Sequence, residues 1–344
     1  MKQLRVGIAG YGVVGQRRRK FIDLNENFKT VAVCDIKYPS SGTFDDGLKY
    51  FTNYKELLNE DLDVLFVCLT NDVAAMVTIA GLNRKLHVFC EKPPGRDVQD
   101  IVNVRLEEEK HSDKKLMYGF NHRYHDSIVK AKEIIDSKEL GEIINLRGLY
   151  GKSKIVSFQS DWRTKREIAG GGILLDQGIH MVDLFRFFAG EFTEFNSFIS
   201  NDFWNHDVED NAYALMKTKS GIVAFLNSTA TEWRHRFRLE IGLSKGSINL
   251  SGILSGSKSY GAETITIAYR NEEDDGGDPK EISIRYNEDN SWRDEINLFA
   301  KIIKEDLKVE SGSSWDAYQT MKMVYNIYCA DKNWKEKYNL QDNR

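Results

Sequence analysis

Residues 4–15 read LRVGIAGYGVVG, an apolar run followed by three glycines in the spacing G-x-G-x-x-G. Gly10 permits a tight turn after the predicted strand, Gly12 lets the backbone approach a bound group, and Gly15 lets the following helix pack closely on the strand. Unpaired N–H groups at the start of that helix attract the negative charge of phosphates. The alternative is a glycine-rich turn that binds nothing, so the prediction needs a second signal.

Asp35 is that second signal, because it lies 20 residues beyond Gly15 at the end of the next apolar run, VAVCD. A carboxylate in this place accepts hydrogen bonds from the hydroxyls of an adenosine ribose. The sequence therefore predicts a dinucleotide-binding site whose turn is formed by Gly10, Tyr11, Gly12, Val13, Val14 and Gly15.

The carboxylate of Asp35 also decides the predicted cofactor, because it repels the 2′-phosphate of NADP and so favours NAD. The basic run RRRK at residues 17–20 and the nearby Lys37 leave NADP open, since one of these cations could bind a 2′-phosphate. For most of the basic run we favour a solvent-exposed helix face.

Apolar runs recur through the first 122 residues, and each is followed by a segment of helix length. The runs are LRVGIAG, KTVAVCD, LDVLFVCLT, KLHVFCEKP and KKLMYGF. Near-continuous Val, Ile, Leu and Phe are typical of strands buried on both faces, so a doubly wound α/β domain with a parallel sheet is predicted. After about residue 141 several strand candidates alternate polar with apolar residues, which predicts a mostly antiparallel sheet with one open face. Two helices are predicted after it, over about residues 292–304 and from near Ser313, where Asp316 completes a capping box.

Composition and charge exclude several classes of protein. Of the 344 residues, 41% are apolar and 29% are charged, which allows a sizeable core in about two domains and argues against a fibrous or disordered chain. The 48 basic and 52 acidic residues give a net charge of −4, so nucleic acid is not the expected partner. Four cysteines without C-x-x-C spacing predict free thiols in a reducing compartment. No apolar stretch reaches the roughly 18 residues of a membrane-spanning helix, and we expect a cytoplasmic protein that does not bind membranes.

Two stretches carry residues suited to proton transfer. The first is EKPP at residues 91–94, which follows the predicted strand LHVFC and holds two of the four prolines of the chain. Ligands of doubly wound sheets bind at the carboxyl ends of the strands, and rigid proline would hold Lys92 in one place there. A turn lysine is as often simply solvated, so position alone leaves both interpretations open.

The second stretch, residues 170–183, reads GGGILLDQGIHMVD. The triple glycine is interpreted as a flexible entry to a helix, on which Asp176, His180 and Asp183 share one polar stripe at about 100° per residue. A metal site is an alternative, but three such ligands without a cysteine or another convergent histidine are thin support, and no metal is predicted. A solvated face is the other alternative, although the entropic cost of three glycines argues against it. Arg123 is a candidate for binding an anion or a sugar hydroxyl, whereas His122 and His125 are expected to be structural or exposed.

These motifs together resemble the Gfo/Idh/MocA family of glucose-fructose oxidoreductase, inositol dehydrogenase and rhizopine catabolism proteins. The residues that carry the resemblance are GYGVVG at 10–15, Asp35, EKP at 91–93, NHRY at 121–124, DWR at 161–163 and GGGxxxDxGxHxxD at 170–183. The resemblance implies an NAD(P)-binding Rossmann domain over residues 1–121 and an α+β domain over residues 122–344. The second domain is implied to bind substrate and to form a homodimer or homotetramer through a large, mostly antiparallel open sheet.

The resemblance also implies roles for individual residues. Lys92 corresponds to the lysine that contacts the substrate hydroxyl and nicotinamide, Asp176 to the carboxylate that orients substrate, and His180 to the imidazole acid/base. The Lys92–Pro93 bond is implied to be cis. Other residues implied to border cofactor or substrate are Thr70, Asn71, Glu91, Asn121, Trp162 and Arg163.

The implied activity is hydride transfer between nicotinamide and a secondary alcohol of a sugar, cyclitol or nucleotide-linked sugar. Such an oxidation needs a base near neutrality within reach of the hydroxyl, which suits His180, and positive charge for the developing alkoxide, which suits Lys92. Arg163, Lys165 and Arg166 could add charge for a phosphorylated or nucleotide-activated substrate, or they could be merely solvated. Two alternatives on the same fold stay open: a non-catalytic NAD-responsive regulator, and an NAD-dependent glycosidase with no net redox change.

Overall fold

The computed structural model describes residues 3–154, 162–255, 260–271 and 277–341. Strands within these ranges form two separate sheets. The strands are β1 (Leu4–Ala9), β2 (Phe28–Cys34), β3 (Gly42–Thr43), β4 (Lys49–Phe51), β5 (Val64–Val67), β6 (His87–Glu91), β7 (Leu116–Gly119), β8 (Ile143–Gly151), β9 (Phe192–Ser200), β10 (Asn211–Thr218), β11 (Val223–Thr229), β12 (Arg236–Leu243), β13 (Gly246–Ser251), β14 (Glu263–Tyr269) and β15 (Lys280–Tyr286).

The α-helices connect these strands and follow the last of them. They are α1 (Val13–Ile22), α2 (Tyr54–Leu57), α3 (Asn71–Asn83), α4 (Val98–Glu108), α5 (Asp126–Ser137), α6 (Arg166–Ala169), α7 (Ile179–Ala189), α8 (Ser291–Lys304), α9 (Ser314–Ala330) and α10 (Lys332–Lys337). A π-helical segment, Leu174–Gly178, directly precedes α7. No helix in the described ranges is long and apolar enough to cross a membrane.

The chain divides into two compact units. The first consists of Met1–Asn121 with Trp292–Met321, and the second of His122–Ser291 with Lys322–Arg344. The sequence suggested a single break between residues 121 and 122, whereas the first unit also takes in most of α8 and the start of α9. The reason is apolar packing, because Phe299 of α8 lies against the rings of Phe28, Phe66 and Phe89.

The first unit contains the predicted parallel sheet, with strand order β3-β4-β2-β1-β5-β6-β7. All neighbours pair in parallel except β3, which is antiparallel to β4. The five apolar runs became β1, β2, β5, β6 and β7, and every residue of β5 is buried, as expected for a strand covered on both faces. The Rossmann-type fold is therefore confirmed. β3 and β4 were not predicted, because two and three residues are too short to show a hydrophobic period.

The second unit is built on an eight-stranded sheet with the order β15-β14-β13-β12-β8-β11-β10-β9. Its neighbours are antiparallel except for β8 and β11, so the mostly antiparallel sheet is confirmed. Buried Ala212, Ala214 and Met216 alternate along β10 with exposed Tyr213 and Leu215. One face is therefore covered by protein and the other is open, as the alternation predicted.

The predicted start of α9 is also present. Asp316 donates its N–H to Ser313 Oγ at 3.1 Å, and its carboxylate accepts the N–H of Gly312 at 3.0 Å. These two bonds satisfy backbone donors at the helix start in the way a capping box does.

Candidate active site

The three glycines of the turn between β1 and α1 differ in why the structure accommodates glycine at each position. Gly10 has a φ of +90°, and a Cβ there would lie 2.2 Å from the carbonyl oxygen of Cys68. A Cβ on Gly15 would lie 2.0 Å from the carbonyl oxygen of Gly10, so only glycine lets α1 pack this closely on β1. A Cβ on Gly12 would meet nothing within 4 Å. Packing does not require glycine at Gly12, and its open surroundings at the helix start fit the approach of a pyrophosphate.

Asp35 follows β2 and is bonded to the same turn. Its Oδ2 accepts the N–H of Tyr11 at 2.9 Å, and its Oδ1 accepts the N–H of Lys37 at 3.1 Å. The Lys37 ammonium donates to the Tyr11 carbonyl oxygen at 2.8 Å, so this cation is held by the turn itself. Tyr11 is buried, Val14 is half-buried and Val13 is exposed. The exposed start of α1 and the carboxylate of Asp35 thus lie side by side, as a dinucleotide site needs.

The other predicted cofactor residues share one edge of the first sheet. β1, β5, β6 and β7 are consecutive parallel neighbours, so their carboxyl ends lie along the same edge. Thr70 and Asn71 follow β5, Glu91 ends β6 and is followed by Lys92, and Asn121 follows β7. This edge is where ligands bind in doubly wound sheets.

The turn that carries Lys92 is held by buried neighbours. The Lys92–Pro93 peptide bond is cis, which confirms the expectation from the resemblance. Pro93 and Pro94 are buried, and Lys92 is half-buried. The lysine is therefore not on a freely solvated turn.

Arg18 is fully buried, although most of the basic run to which it belongs was predicted to be an exposed helix face. Its Nε lies 2.5 Å from Glu91 Oε1 and its Nη2 lies 2.7 Å from Glu295 Oε2. The guanidinium also lies over the rings of Phe89 and Trp292, 4.5 and 4.3 Å from their centroids. Burial by itself would lower the pKa of Arg18, but the two carboxylates raise it. Arg18 is therefore an exception to the exposed face, because α8 supplies an acidic and an aromatic partner.

The triple glycine of the second unit is closely packed rather than flexible, which corrects the sequence interpretation. A Cβ on Gly172 would lie 2.1 Å from the backbone carbonyl oxygen of Glu209. The buried Glu209 carboxylate accepts the N–H groups of Gly172 and Leu174 at 2.8 and 3.0 Å and the hydroxyl of Tyr328 at 2.6 Å. Burial raises the pKa of Glu209, although the hydrogen bonds it accepts act in the opposite direction. Glu209 was not predicted as a site residue, because an isolated acidic residue has no motif around it.

Asp176, His180 and Asp183 were predicted to share one polar stripe, but they do not share the same neighbours in the structure. The π-helical turn, Leu174–Gly178, is wider than an α-helical turn and changes the phase of the residues around it. Asp183 is buried and accepts both Nε and Nη2 of Arg123, at 2.8 and 2.7 Å. The guanidinium expected to bind substrate is thus paired in a bidentate way within the protein, whereas Asp176 and His180 have other neighbours.

His180 is buried and stacks on His122. The two imidazole centroids are 3.6 Å apart and the rings are inclined by only 13°. His122 Nε2 lies 3.0 Å from the hydroxyl oxygen of Tyr150. His122 was expected to be structural or exposed, and its contact with His180 was not predicted. Across the described part of the chain, no three His, Cys, Asp or Glu side chains group as a metal site would need.

Asp176 is half-buried and has two cations beside it. Its Oδ2 lies 3.4 Å from Lys152 Nζ, and its Oδ1 lies 3.4 Å from Arg163 Nε. The guanidinium of Arg163 lies over the ring of Trp162, 4.3 Å from its centroid. Asp161, the first residue of the DWR motif, lies outside the described residues. Lys152 was not predicted, because it directly follows β8 without any recognisable motif.

Comparison with known families covers most of the chain. Residues 4–120 match the oxidoreductase family with an NAD-binding Rossmann fold, and residues 128–249 match the Gfo/Idh/MocA C-terminal domain. The chain belongs to the Gfo/Idh/MocA family. The match of its first part to an NAD-binding fold agrees with the cofactor predicted from Asp35.

Individual members of the Gfo/Idh/MocA family are distant in sequence. The myo-inositol 2-dehydrogenase of Thermotoga maritima is 25% identical over 315 residues, which are 88% of this chain and 88% of the relative. The glucose-6-phosphate 3-dehydrogenase of Bacillus subtilis is 27% identical over 187 residues, 52% of each chain. A solved structure of levoglucosan dehydrogenase in complex with NADH has a TM-score of 0.83 at 19% identity, covering 97% of this chain and 98% of that one. At this identity the structural match shows the fold alone.

Proposed function

We propose that the protein is an NAD-dependent dehydrogenase or reductase that transfers a hydride between nicotinamide and a secondary alcohol of a sugar, cyclitol or nucleotide-linked sugar. The observation that carries the proposal is His180, a buried imidazole stacked on His122 and four residues beyond the half-buried Asp176. Histidine is the side chain that exchanges protons near neutral pH, and stacking fixes the ring without using its nitrogens. A ligand sensor needs no such group, which favours catalysis over a regulatory role.

The residues of the first unit fit the cofactor. The open surroundings of Gly12 suit a pyrophosphate and Asp35 suits an adenosine ribose, so these residues would hold NAD, which supplies the hydride acceptor for oxidation or the hydride donor for reduction. A nitrogen of His180 takes the hydroxyl proton during oxidation and returns it during reduction. The ammonium of Lys92 stabilises negative charge on the alcohol oxygen, and the carboxylate of Asp176 orients neighbouring hydroxyls by accepting their hydrogen bonds.

Replacing Lys92 by Met tests this mechanism. The variant should bind NADH in a fluorescence titration but should not turn over any member of a panel of sugars, inositols and nucleotide sugars, followed by NADH absorbance. Lys29→Met is the matched control, because Lys29 is an exposed lysine on β2. Full activity of the Lys92 variant would overturn the assigned role. Cleavage of a glycosidic bond by the wild type without accumulation of NADH would select the glycosidase alternative instead.

We further propose that the protein is a homodimer or homotetramer formed through the open face of the eight-stranded sheet. Large apolar side chains are exposed on this face, and they come from neighbouring strands. Phe198 of β9 pairs with Tyr213 of β10, and Leu215 of β10 pairs with Phe225 of β11. Phe198 is 80% exposed and Leu215 is 50% exposed. Contiguous apolar surface of this kind is typical of a protein interface, and a second copy of the sheet would bury it.

A further inference from the structure

We infer that the second unit binds an anionic substituent of the substrate, a phosphate or a carboxylate, through Lys152 and Arg163. This inference rests on the proposed function, because it names the class of polyol on which the enzyme acts. It distinguishes sugar phosphates and sugar acids from neutral sugars and cyclitols.

The first support is an imbalance of charge around Asp176. Lys152 Nζ and Arg163 Nε each lie 3.4 Å from one of its two carboxylate oxygens. Within the ranges that the structure describes, neither cation has an ion pair with a second carboxylate. Among the described residues two positive charges therefore share one negative charge, which is a surplus of one positive charge.

The second support is the exposure of the three side chains. The exposed fractions are 19% for Lys152, 34% for Arg163 and 15% for Asp176. Lys152 and Asp176 are mostly shielded from water, and shielded charges interact more strongly than charges in bulk solvent. The surplus charge is therefore poorly compensated by solvent alone, and a ligand anion would compensate it.

The third support is the hydrogen-bonding capacity that both cations retain. A distance of 3.4 Å is longer than the roughly 2.7–2.9 Å of a strong charge-assisted hydrogen bond, so Asp176 does not saturate either cation. Lysine has three N–H donors and arginine has five, and the described contact of the Arg163 guanidinium to Asp176 uses Nε alone. Its Nη groups can form the paired hydrogen bonds that phosphates and carboxylates accept. Stacking of Trp162 on the guanidinium limits its movement.

Two other charged residues nearby are engaged elsewhere. Arg166, considered with Arg163 in the sequence, donates to the carbonyl oxygen of Gly170 at 3.0 Å and lies over the ring of Tyr338. Glu232, whose N–H is bonded to the carbonyl oxygen of Lys152, pairs its carboxylate with Arg236 at 3.0 Å. Arg166 is thus directed into the protein, and Glu232 does not neutralise Lys152.

The charge of Lys152 also acts beyond its contact with Asp176. Burial lowers the pKa of His235, and the positive charge of Lys152 lowers it further.

The test compares neutral polyols with their anionic counterparts. Glucose, glucose 6-phosphate, glucuronate, myo-inositol and inositol 1-phosphate are assayed with NAD for turnover and are titrated against the protein by calorimetry. We expect at least one anionic compound to bind about tenfold or more tightly than its neutral parent, because hydrogen bonds between charged groups are the strong ones. The preference should weaken as salt is raised. Comparison of the two phosphorylated compounds with glucuronate shows whether the site prefers a phosphate or a carboxylate.

Variants of Lys152 and Arg163 test whether these two cations cause the preference for anionic compounds. Lys152→Met should reduce the ratio of anionic to neutral affinity about tenfold, Arg163→Gln should reduce it similarly, and Lys152→Arg should retain most of it. Lys219→Met is the control, since Lys219 is an exposed lysine on the turn between β10 and β11, and it should leave the ratio unchanged.

Two results would count against the inference in different ways. Equal or tighter binding of the neutral parents, or a preference that both variants leave intact, would overturn the anion site while turnover of the neutral polyols upheld the dehydrogenase. Absence of NAD-linked turnover for every one of these polyols and for the nucleotide sugars of the wider panel would instead remove the proposed function, and the calorimetric ratio would still decide whether Lys152 and Arg163 bind anions.

Discussion

Removal of the Arg18 guanidinium should cost the first unit more stability than any exposed charge could. The side chain is fully excluded from water, and so is that of Glu295, whose Oε2 lies 2.7 Å from Nη2. Met in place of Arg18 fills a similar volume with hydrocarbon but leaves Glu295 and Glu91 without this cation. Breaking one partner of a buried ion pair costs about 3–5 kcal/mol, and the contacts with the rings of Phe89 and Trp292 place Arg18→Met toward the upper end.

Thermal and urea unfolding measure this loss. One kcal/mol moves the melting temperature by about 2–4 °C in units of roughly 150 to 250 residues, so Arg18→Met should lower the transition of the first unit by about 6–20 °C. Arg19→Met is the matched control at the next position of α1. Arg19 is 26% exposed and pairs with Asp23 at 3.1 Å and with Asp46, and partly exposed pairs of this kind contribute about 1 kcal/mol or less each.

A double variant separates the ion pair from general damage to the core. Arg18→Met combined with Glu295→Met removes both charges, and apolar replacement of a buried pair is often neutral or stabilising. The double variant should therefore be more stable than Arg18→Met alone, with a coupling free energy of roughly 1–3 kcal/mol. A loss below about 1 kcal/mol for Arg18→Met, or a double variant less stable than either single one, would refute this reasoning.

Three further predictions concern the cofactor site and the assembly. Gly12→Ala should keep the melting temperature but raise the dissociation constant for NADH about tenfold. Gly15→Ala should instead impair folding, because its Cβ would lie 2.0 Å from the Gly10 carbonyl oxygen. Equal effects of the two variants on the melting temperature and on NADH binding, measured by fluorescence titration, would contradict the roles assigned to the two glycines. Asp35→Ser should shift the ratio of kcat/KM for NADP over NAD upward about tenfold, and an unchanged ratio would mean that Asp35 does not select the cofactor. Phe198→Asp should reduce the mass measured by light scattering, and an unchanged oligomer would place the interface elsewhere.

The sequence allowed the first unit to be predicted well because its signals are local. Each signal lies within a few residues of the structure that it predicts. The five apolar runs are strands, the glycine spacing forms the turn after β1, and Asp35 directly follows β2. The pairing of strands in the second unit is different. β8 lies between β11 and β12 in the sheet, and no feature of its own sequence shows that its neighbours are those later strands.

The environment of charged side chains was the least predictable part of the site. Arg18 resembles its basic neighbours in the sequence, yet its burial depends on Trp292 and Glu295, which come from a distant helix. The contact between His180 and His122 depends likewise on two segments far apart in the chain. A residue type indicates which chemistry is available, whereas the long-range fold decides which partners a charge has.

The surroundings of a glycine are likewise not evident from the motif in which it stands. Gly12 and Gly172 both belong to glycine-rich stretches, and both were interpreted as openings for a ligand or for movement. A Cβ would meet nothing within 4 Å at Gly12 but would lie 2.1 Å from a backbone oxygen at Gly172. Since a backbone atom cannot move aside as a side chain can, any substitution at Gly172 tests folding before it tests function. Of these two glycines only Gly12 can therefore report on cofactor binding, and activity lost by changing Gly172 would be no support for a mobile entry to the helix that carries His180.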